Sequence, residues 1–351
     1  MIERKGEGMY PETVQLIQAK MQAGVFPGVV FQLIEGTQEQ TYTFGQAQID
    51  PVTVPMQTEY LFDVASLTKV VCTTSVLLKL FEAEKLDWDQ SLHELLPEFE
   101  NKTITLRHLL THTSDIQTYI PNRDQLDAQA LRAAYLKLQP GDGLGKVVKY
   151  TDAGTILLAF LLEKIYQKPV VEIFQAEVLT PLKMRASRFL PQPPYDQIVP
   201  TERQGDGSIL KGITHDPKAR ILASHAGNAG LFTNLNDLSK FAKMYLNLGS
   251  VSDMIYLHDK TIKELLHDQT PTKKGKRSFG WDLKFSPLDQ SPLLFHTGYT
   301  GTFLLLDVEK KSAFIFLSNR VHPKDHRASY VEQRDEILAC YLNERTKIYQ
   351  K

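Results

Sequence analysis

The sequence lacks the features that mark several large classes of protein. It has only two cysteines, Cys72 and Cys340, and two cysteines cannot build a disulfide framework. Its formal net charge is −1, so there is no surplus of basic residues to bind nucleic acid or an anionic membrane. No apolar stretch has the length of a membrane span, and the N-terminal residues contain no run of secretory-signal length. We therefore expect a cytoplasmic protein without a nucleic-acid partner.

The composition is that of a folded globular protein. Of the 351 residues, 42% are hydrophobic and 23% are charged, which allows a large buried core. Cys72 lies in an apolar helical stretch, and we expect it to be buried as a small hydrophobic residue without a catalytic role. Length and composition fix no oligomeric state.

Hydrophobic periodicity places strands towards both ends of the chain and helices between them. The β-prone runs are separated by turn residues, whereas the helical segments repeat apolar residues on one face. The predicted strands are residues 28–33, 41–44, 293–296, 301–307 and 313–317. The predicted helices are residues 11–23, 66–81, 86–96, 105–112, 125–138, 153–166, 236–248 and 327–342, with Asn236 as an N-cap.

An antiparallel sheet assembled from both ends of the chain is the simplest arrangement of these segments. The predicted fold class is therefore α+β, with the sheet flanked by helices and a mainly helical region inserted into it. We assign residues 1–65 and 205–351 to the sheet region and residues 66–204 to the helical region.

Ser66 and Lys69 form the first motif that suggests chemistry. They are three positions apart at the start of a predicted helix, so their side chains share one face. A serine hydroxyl becomes a good nucleophile when a neighbouring group takes its proton, and a lysine with a lowered pKa can do so. The free N–H groups at the start of a helix can also bind a developing oxyanion. The motif therefore predicts an activated serine.

The same spacing occurs a second time, at Ser208 and Lys211. Chance alone yields about one Ser-x-x-Lys match in a chain of this length. Lys211 is followed by Gly212 in a polar loop, where no helix holds the lysine beside the serine. The amphipathic helix that follows Ser66 favours the first pair.

Tyr150 and Asp152 lie immediately before the predicted helix at residues 153–166. A tyrosine at such a junction can relay protons when neighbouring cations lower its pKa. The alternative is a surface tyrosine followed by an aspartate that caps the helix. In isolation the alternative is favoured, because caps are far commoner than active sites.

A third motif, His296-Thr297-Gly298-Tyr299, ends the predicted strand at residues 293–296. Small residues on an edge strand let the backbone of a substrate approach and pair with it. A backbone N–H group at this point could also complete an oxyanion site with that of Ser66. The alternative is a glycine-rich hairpin turn.

Together and in this order, the three motifs resemble those of the serine β-lactamase and penicillin-binding-protein superfamily, whose pattern is Ser-x-x-Lys, a middle motif and Lys-Thr-Gly. The middle motif looks like the Tyr-x-Asn motif of one branch of this superfamily, which contains the class C β-lactamases, D,D-peptidases, esterases and D-aminopeptidases. Further segments that look like this branch begin at Phe26, Leu106, Ala226 and Phe279. The resemblance covers about residues 25–320.

The resemblance implies a β-lactamase-like fold with the active site at the junction of the two regions. It also implies a role for each matching residue. Ser66 would attack a carbonyl group and form an acyl-enzyme, with Lys69 as the first proton acceptor. Tyr150 would assist as general base and then protonate the leaving group. The backbone N–H groups of Ser66 and Tyr299 would bind the oxyanion. The substrate-binding residues would be Asp152, His296, Thr297 and Gly298.

Two positions depart from the pattern of the family. Asp152 stands where the family has asparagine, so it cannot donate a hydrogen bond to an acyl side chain. It could instead pair with Lys69 and raise the pKa of the lysine. His296 stands where penicillin-active members have a lysine that binds the substrate carboxylate, and histidine is largely neutral at pH 7. Both departures favour a neutral ester or amide substrate.

The expected function is that of a serine acyl-hydrolase without a cofactor, acting on a small ester, amide or D-amino-acid-containing peptide. The nearest enzymatic alternative is a true β-lactamase or D,D-carboxypeptidase. The alternative of another class is a non-catalytic binding protein that keeps the fold, for which Asp152 is the argument. His108 and His112 have the spacing of zinc ligands on a helix, but no third ligand accompanies them, so we expect no metal site.

Overall fold

The computed structural model describes residues 8–350 of the chain. Residues 1–7 and Lys351 lie outside the described residues. Residues 1–7 are the start of the predicted sheet region and of the segment inspected for a secretory signal. None of the helices in the described part is both long and apolar enough to cross a membrane.

The strands confirm the predicted assembly of an antiparallel sheet from both ends of the chain. In chain order they are β1 (Gly28–Glu35), β2 (Gln38–Gln48), β3 (Val54–Pro55), β4 (Phe62–Asp63), β5 (Phe232–Thr233), β6 (Ser250–Val251), β7 (Met254–Ile255), β8 (Asp282–Phe285), β9 (Pro292–Gly298), β10 (Thr302–Asp307) and β11 (Ser312–Ser318). Within residues 8–350, seven of them form one sheet in the order β3-β2-β1-β11-β10-β9-β8. β1 pairs with β11 along its length, from Val29↔Ser318 to Glu35↔Ser312, and so joins the two ends of the chain.

The sheet is covered on both faces, which explains why its central strands are buried along almost their whole length. Along β1, Val30 and Ile34 belong to the large core that is shared with the helices of the middle of the chain. Phe31 and Leu33 point to the opposite face, where they pack with residues of the first and last helices. This alternation is the period of two that a strand imposes on its side chains.

The helices agree with most of the predicted segments. In chain order they are α1 (Pro11–Gln22), α2 (Ser75–Glu82), α3 (Leu92–Leu95), α4 (Leu106–Leu110), α5 (Ala128–Leu136), α6 (Ala153–Tyr166), α7 (Val170–Phe174), α8 (Pro217–Leu222), α9 (Leu235–Leu246), α10 (Asp259–Glu264) and α11 (Arg327–Tyr349). Short 3₁₀ turns occupy Arg123–Gln125 and Ala223–His225. Cys72 is fully buried, as predicted. The division into a sheet region and a helical region stays a prediction.

Two local predictions are wrong because polar side chains bond to the backbone. Only α3 is helical in the segment 86–96, since Asp87 Oδ1 accepts a hydrogen bond from the Asp89 N–H and Ser91 Oγ accepts one from the His93 N–H. Such bonds offer the backbone an alternative to the helix. Likewise, the N-cap of α9 is Asn234 and not Asn236, because Asn234 Oδ1 accepts the N–H of Asp237 at 3.0 Å.

The predicted helix at residues 66–81 is built differently from a regular α-helix. Its first part, Lys69–Thr74, is a π-helix, and α2 follows it directly. Ser75 Oγ donates to the carbonyl of Val70, five residues earlier, and the run of β-branched residues in this segment disfavours tight α-helical turns. Single π-helical turns are often found at functional sites. Here the wide turn begins at Lys69.

Candidate active site

Ser66 lies on a tight turn between β4 and the π-helix. The preceding residue, Ala65, has a φ of 45°, which is a left-handed conformation that is unfavourable for a residue with a side chain. The buried carboxylate of Asp63 supports this turn, because its Oδ1 accepts the Ala65 N–H at 2.9 Å and its Oδ2 accepts the His215 N–H at 2.7 Å. The turn is therefore held in a strained shape that leaves Ser66 half-buried.

Lys69 directs its amine at the hydroxyl of Ser66. The distance from Lys69 Nζ to Ser66 Oγ is 2.7 Å, and the side chain of Lys69 is only 1% exposed. Nζ also donates to Asp152 Oδ1 at 2.7 Å and to the carbonyl oxygen of Asn228 at 3.1 Å. Three acceptors around one nitrogen match the three N–H donors of an ammonium group. The arrangement therefore holds Lys69 in its charged form.

The electrostatic surroundings lead to the same conclusion about Lys69. Burial alone would lower the pKa of its amine, but attraction to Asp152 and Tyr150 outweighs burial and raises the pKa above that of an ordinary lysine. Burial alone would likewise raise the pKa of the Asp152 carboxyl, but Lys69 and Lys218 lower it below the ordinary range. The two groups are therefore an ion pair at neutral pH.

Asp152 does not cap α6 with its side chain. It occupies the position before Ala153, but its carboxylate makes no bond to the first turn of the helix. Both carboxylate oxygens bind lysines instead: Oδ1 contacts Lys69, and Oδ2 lies 3.0 Å from Lys218 Nζ. The capping alternative therefore fails for the side chain, and the pairing with Lys69 that was expected from the sequence is present.

The ring of Tyr150 stands among two histidines and two cations. Its centroid lies 4.4 Å from that of His112 and 6.0 Å from that of His296. Lys69 Nζ lies 5.3 Å from the ring centroid, and the guanidinium carbon of Arg277 lies 5.7 Å from it. The side chain of Tyr150 is 46% exposed, so it is open to solvent beside Lys69. Cations at this distance are attracted to the face of an aromatic ring.

Both histidines are buried and uncharged. Burial lowers the pKa of His296 far below its ordinary value, and Lys69 and Arg277 lower it further. Burial likewise lowers the pKa of His112, and the same two cations contribute. Within residues 8–350, neither ring nitrogen of His296 has a hydrogen-bond partner. His296 is therefore a neutral, buried imidazole at the position where the resemblance implies a lysine in penicillin-active members.

Arg277 is the functional candidate that the sequence analysis missed. It is 8% exposed, its Nε has no hydrogen-bond partner among residues 8–350, and no carboxylate of that part of the chain lies within ion-pair distance. Burial lowers the pKa of its guanidinium, while Asp282 attracts it from further away. The only signal in the sequence was its position two residues before Phe279, where a segment similar to the family begins.

The third motif lies on an open edge of the sheet. β8 pairs with β9 only from Phe285↔Pro292 to Asp282↔Phe295, so no strand of the described residues 8–350 lies beside His296, Thr297 and Gly298 on that side. A Cβ atom on Gly298 would lie 2.2 Å from the carbonyl oxygen of Val64, so only glycine allows this close approach to the Ser66 turn. The edge is therefore free to pair with an extended ligand.

The two predicted oxyanion donors are free. Among residues 8–350, no acceptor bonds to the backbone N–H of Ser66 or of Tyr299. The hairpin after Gly298 is fastened to the Ser66 turn, since Thr300 Oγ1 donates to the carbonyl of Asp63 at 2.6 Å. The side chain of Tyr299 is exposed, and its hydroxyl donates to Asp325 at 2.5 Å.

The remaining candidates from the sequence do not assemble into a second site. Ser208 Oγ donates to Asp206, and Lys211 Nζ donates to Gln48 instead of approaching the serine. His108 Nδ1 accepts the N–H of Thr105 at the start of α4. Within residues 8–350, no group of three or more His, Cys, Asp or Glu side chains is arranged to hold a metal ion.

Comparisons with known proteins identify the family of the chain. The family model described as Beta-lactamase matches residues 13–338. The N-acetylmuramyl-L-alanine amidase of Bacillus subtilis (strain 168) is 27% identical, over 88% of this chain and 80% of the relative. A putative D-alanyl-D-alanine carboxypeptidase of Escherichia coli (strain K12) is also 27% identical, over 77% and 71%.

The fold is similar to that of solved class C beta-lactamases. A class C beta-lactamase mutant superposes with a TM-score of 0.76 at 19% identity, over 97% of this chain and 99% of the other. This likeness confirms the predicted β-lactamase-like α+β fold class. Because the family model matches most of its length, the chain belongs to the Beta-lactamase family and is a serine hydrolase of that family.

Proposed function

We propose that Ser66 is the nucleophile of an acyl-hydrolase that acts on a small ester, amide or D-amino-acid-containing peptide. The observation that carries this proposal is the hydrogen bond of 2.7 Å between Lys69 Nζ and Ser66 Oγ. Burying a lysine costs free energy unless the charge is paired, and here the paired charge is aimed at a half-buried hydroxyl. A merely structural lysine has no need of that partner.

The first proton transfer is assigned to Tyr150, because Lys69 has the surroundings of an ammonium group. Ser66 Oγ attacks the carbonyl carbon while its proton passes to the Tyr150 oxygen, and the charge of Lys69 stabilises the negative charge that develops on Ser66 Oγ. The role of Lys69 thus changes from the first acceptor expected from the sequence to a cation that shares the proton.

The later steps use the same groups. The carbonyl oxygen becomes an oxyanion that the N–H groups of Ser66 and Tyr299 bind. Tyr150 then protonates the leaving group, the bond to that group breaks, and an ester remains on Ser66. Water completes the cycle: its oxygen bonds to the carbonyl carbon while Tyr150 takes one of its protons, the ester bond to Ser66 breaks, and Tyr150 returns the proton to Ser66 Oγ.

Arg277 supports a second candidate substrate, a peptide with a free carboxylate. His296 was expected to leave the site without a cation for such a group, but the unpaired guanidinium of Arg277 lies beside the Tyr150 ring, close to His296. A buried cation without a partner of its own is suited to bind an anionic ligand. The relatives named as an amidase and as a putative carboxypeptidase also support a peptide substrate.

Hydrolysis of a short-chain p-nitrophenyl ester tests the assignment of the nucleophile. We expect Ser66→Ala to abolish turnover and Ser208→Ala, the matched control from the second Ser-x-x-Lys segment, to leave it unchanged. Activity retained by the Ser66 variant and lost by the Ser208 variant would reverse the assignment.

Covalent probes separate the candidate functions. Rapid labelling by a fluorophosphonate without labelling by penicillin indicates an esterase, and acylation by penicillin indicates the β-lactamase or D,D-carboxypeptidase alternative. Labelling by neither indicates a non-catalytic binding protein. The cytoplasmic location stays a prediction, which fractionation of expressing cells would test.

A further inference from the structure

Asp152 has two lysine partners, and only one of them belongs to the motifs of the family. Lys69 binds one carboxylate oxygen at 2.7 Å, and Lys218, at the start of α8, binds the other at 3.0 Å. The side chain of Lys218 is only 16% exposed. A second, nearly buried cation on the same carboxylate requires an explanation, because the burial of each charge costs free energy.

Lys218 closes a ring of hydrogen bonds that begins and ends at Lys69. Its Nζ lies 2.8 Å from Asp216 Oδ2, and Asp216 Oδ1 accepts the side-chain amide of Asn228 at 3.2 Å. The backbone carbonyl of Asn228 in turn accepts a hydrogen bond from Lys69 Nζ. Asp216 also caps α8, since its Oδ1 accepts the Ala219 N–H at 2.8 Å. The start of α8 is thereby fixed against the catalytic lysine.

The charges in this ring balance. Two lysines, 69 and 218, face two aspartates, 152 and 216, so the ring is neutral as a whole. The other titratable or charged groups that face Lys69 are Tyr150, His112, His296 and Arg277, and both histidines are uncharged. Without Lys218 the ring would carry one net negative charge next to Lys69 and Tyr150.

We propose that Lys218 is a positioning residue that balances the charge of Asp152 and so keeps Lys69 directed at Ser66. Where the family has a neutral asparagine, no such cation is needed. Here the aspartate at position 152 and the lysine at position 218 form a compensated pair. This inference rests on the proposed roles of Ser66 and Lys69.

Removal of Lys218 changes the geometry around Lys69. Asp152 binds Lys69 through one oxygen and Lys218 through the other, so without Lys218 its remaining lysine partner is Lys69. The attraction between Asp152 and Lys69 is then no longer shared, and it draws Lys69 Nζ away from Ser66 Oγ. The longer distance slows the attack by Ser66.

A double-mutant cycle read by fluorophosphonate labelling of Ser66 tests the proposal without knowledge of the natural substrate. We expect Lys218→Met to lower the second-order labelling rate constant at pH 7 by about tenfold or more. In an Asp152→Asn background, which removes the charge to be balanced, the same change should lower it by less than about twofold. An equal loss in both backgrounds would show that the lysine stem only packs, and would overturn the proposal.

Two further variants distinguish charge from packing. Lys218→Arg should stay within about threefold of the wild-type rate, because it keeps the cation. Lys79, on α2, is a partly buried lysine that pairs with Glu177 and not with the groups around Ser66. Lys79→Met should therefore leave the rate unchanged. Circular dichroism verifies that each variant is folded.

The conservative variant gives a second readout that does not depend on Asp152→Asn. We expect Lys218→Arg to keep most of the labelling rate that Lys218→Met loses, because the arginine keeps the cation beside Asp152. Equal losses in Lys218→Arg and Lys218→Met would contradict the proposal even if Asp152→Asn proved inactive. Labelling that survives Ser66→Ala would instead refute the proposed function itself.

Discussion

Replacement of Arg277 by methionine should raise the stability of the protein and lower its activity towards substrates that carry a free carboxylate. The guanidinium is nearly buried, has no ion pair among residues 8–350, and has an Nε without a partner. An unsatisfied buried polar group costs about 1–3 kcal/mol. Methionine has a similar length and no charge, so the free energy of unfolding should rise by about that amount. The melting temperature should rise by a few degrees, since 1 kcal/mol corresponds to about 2–4 °C in a domain of 150–250 residues and to less in a longer chain.

The same change should remove a charge-assisted hydrogen bond to an anionic substrate. Such bonds are worth about 1.5–3 kcal/mol, which corresponds to a loss of about 10- to 150-fold in kcat/KM. The assay compares two peptide esters that differ only in a free or a methylated terminal carboxylate, beside thermal melts. Arg277→Met should slow the free carboxylate selectively. An equal loss for both esters, or a melting temperature lowered by many degrees, would refute the reasoning.

Three further substitutions test separate parts of the site. His296→Lys restores the residue of penicillin-active relatives but buries a third cation beside Lys69 and Arg277, so it should lower stability by about 3 kcal/mol in chemical denaturation. Gly298→Ala should lower kcat/KM by about tenfold or more in the ester assay, because its Cβ would meet the Val64 carbonyl at 2.2 Å. Unchanged stability of His296→Lys, or unchanged kcat/KM of Gly298→Ala, would contradict the corresponding prediction. Asp152→Asn should lower the melting temperature by a few degrees at neutral pH and by less at pH 3. The ion pairs lower the pKa of the Asp152 carboxyl in the folded state, so the contribution of this carboxylate to stability is present above about pH 4 and is lost as the pH falls further. A difference that does not change between pH 7 and pH 3 would exclude the ion pair as its source.

The sequence predicted the features that depend on neighbours along the chain. The i, i+3 spacing brought Lys69 to Ser66, and the apolar helix after Asp152 was found with the predicted bounds. The antiparallel sheet formed by strands from both ends of the chain was also predicted, and β1 and β11 are the strands that join those ends.

The features that the sequence did not reveal depend on residues far apart in the chain. Lys218, on α8, contacts Asp152, and Arg277, in the segment before β8, contacts the ring of Tyr150, so both reach the site from distant parts of the chain. The charged state of Lys69 is set by three acceptors, of which two lie more than 80 positions away. No local pattern contains such contacts, since lysine and arginine side chains are usually solvated.

The most direct test of the central claim is to locate the covalent adduct. The protein is treated with a fluorophosphonate, digested and analysed by mass spectrometry, with Lys69→Met treated in parallel. We predict one adduct per chain on the peptide that contains Ser66, and a rate of modification at least tenfold lower in the Lys69 variant. Modification of another serine, or equal rates in the two proteins, would contradict the account.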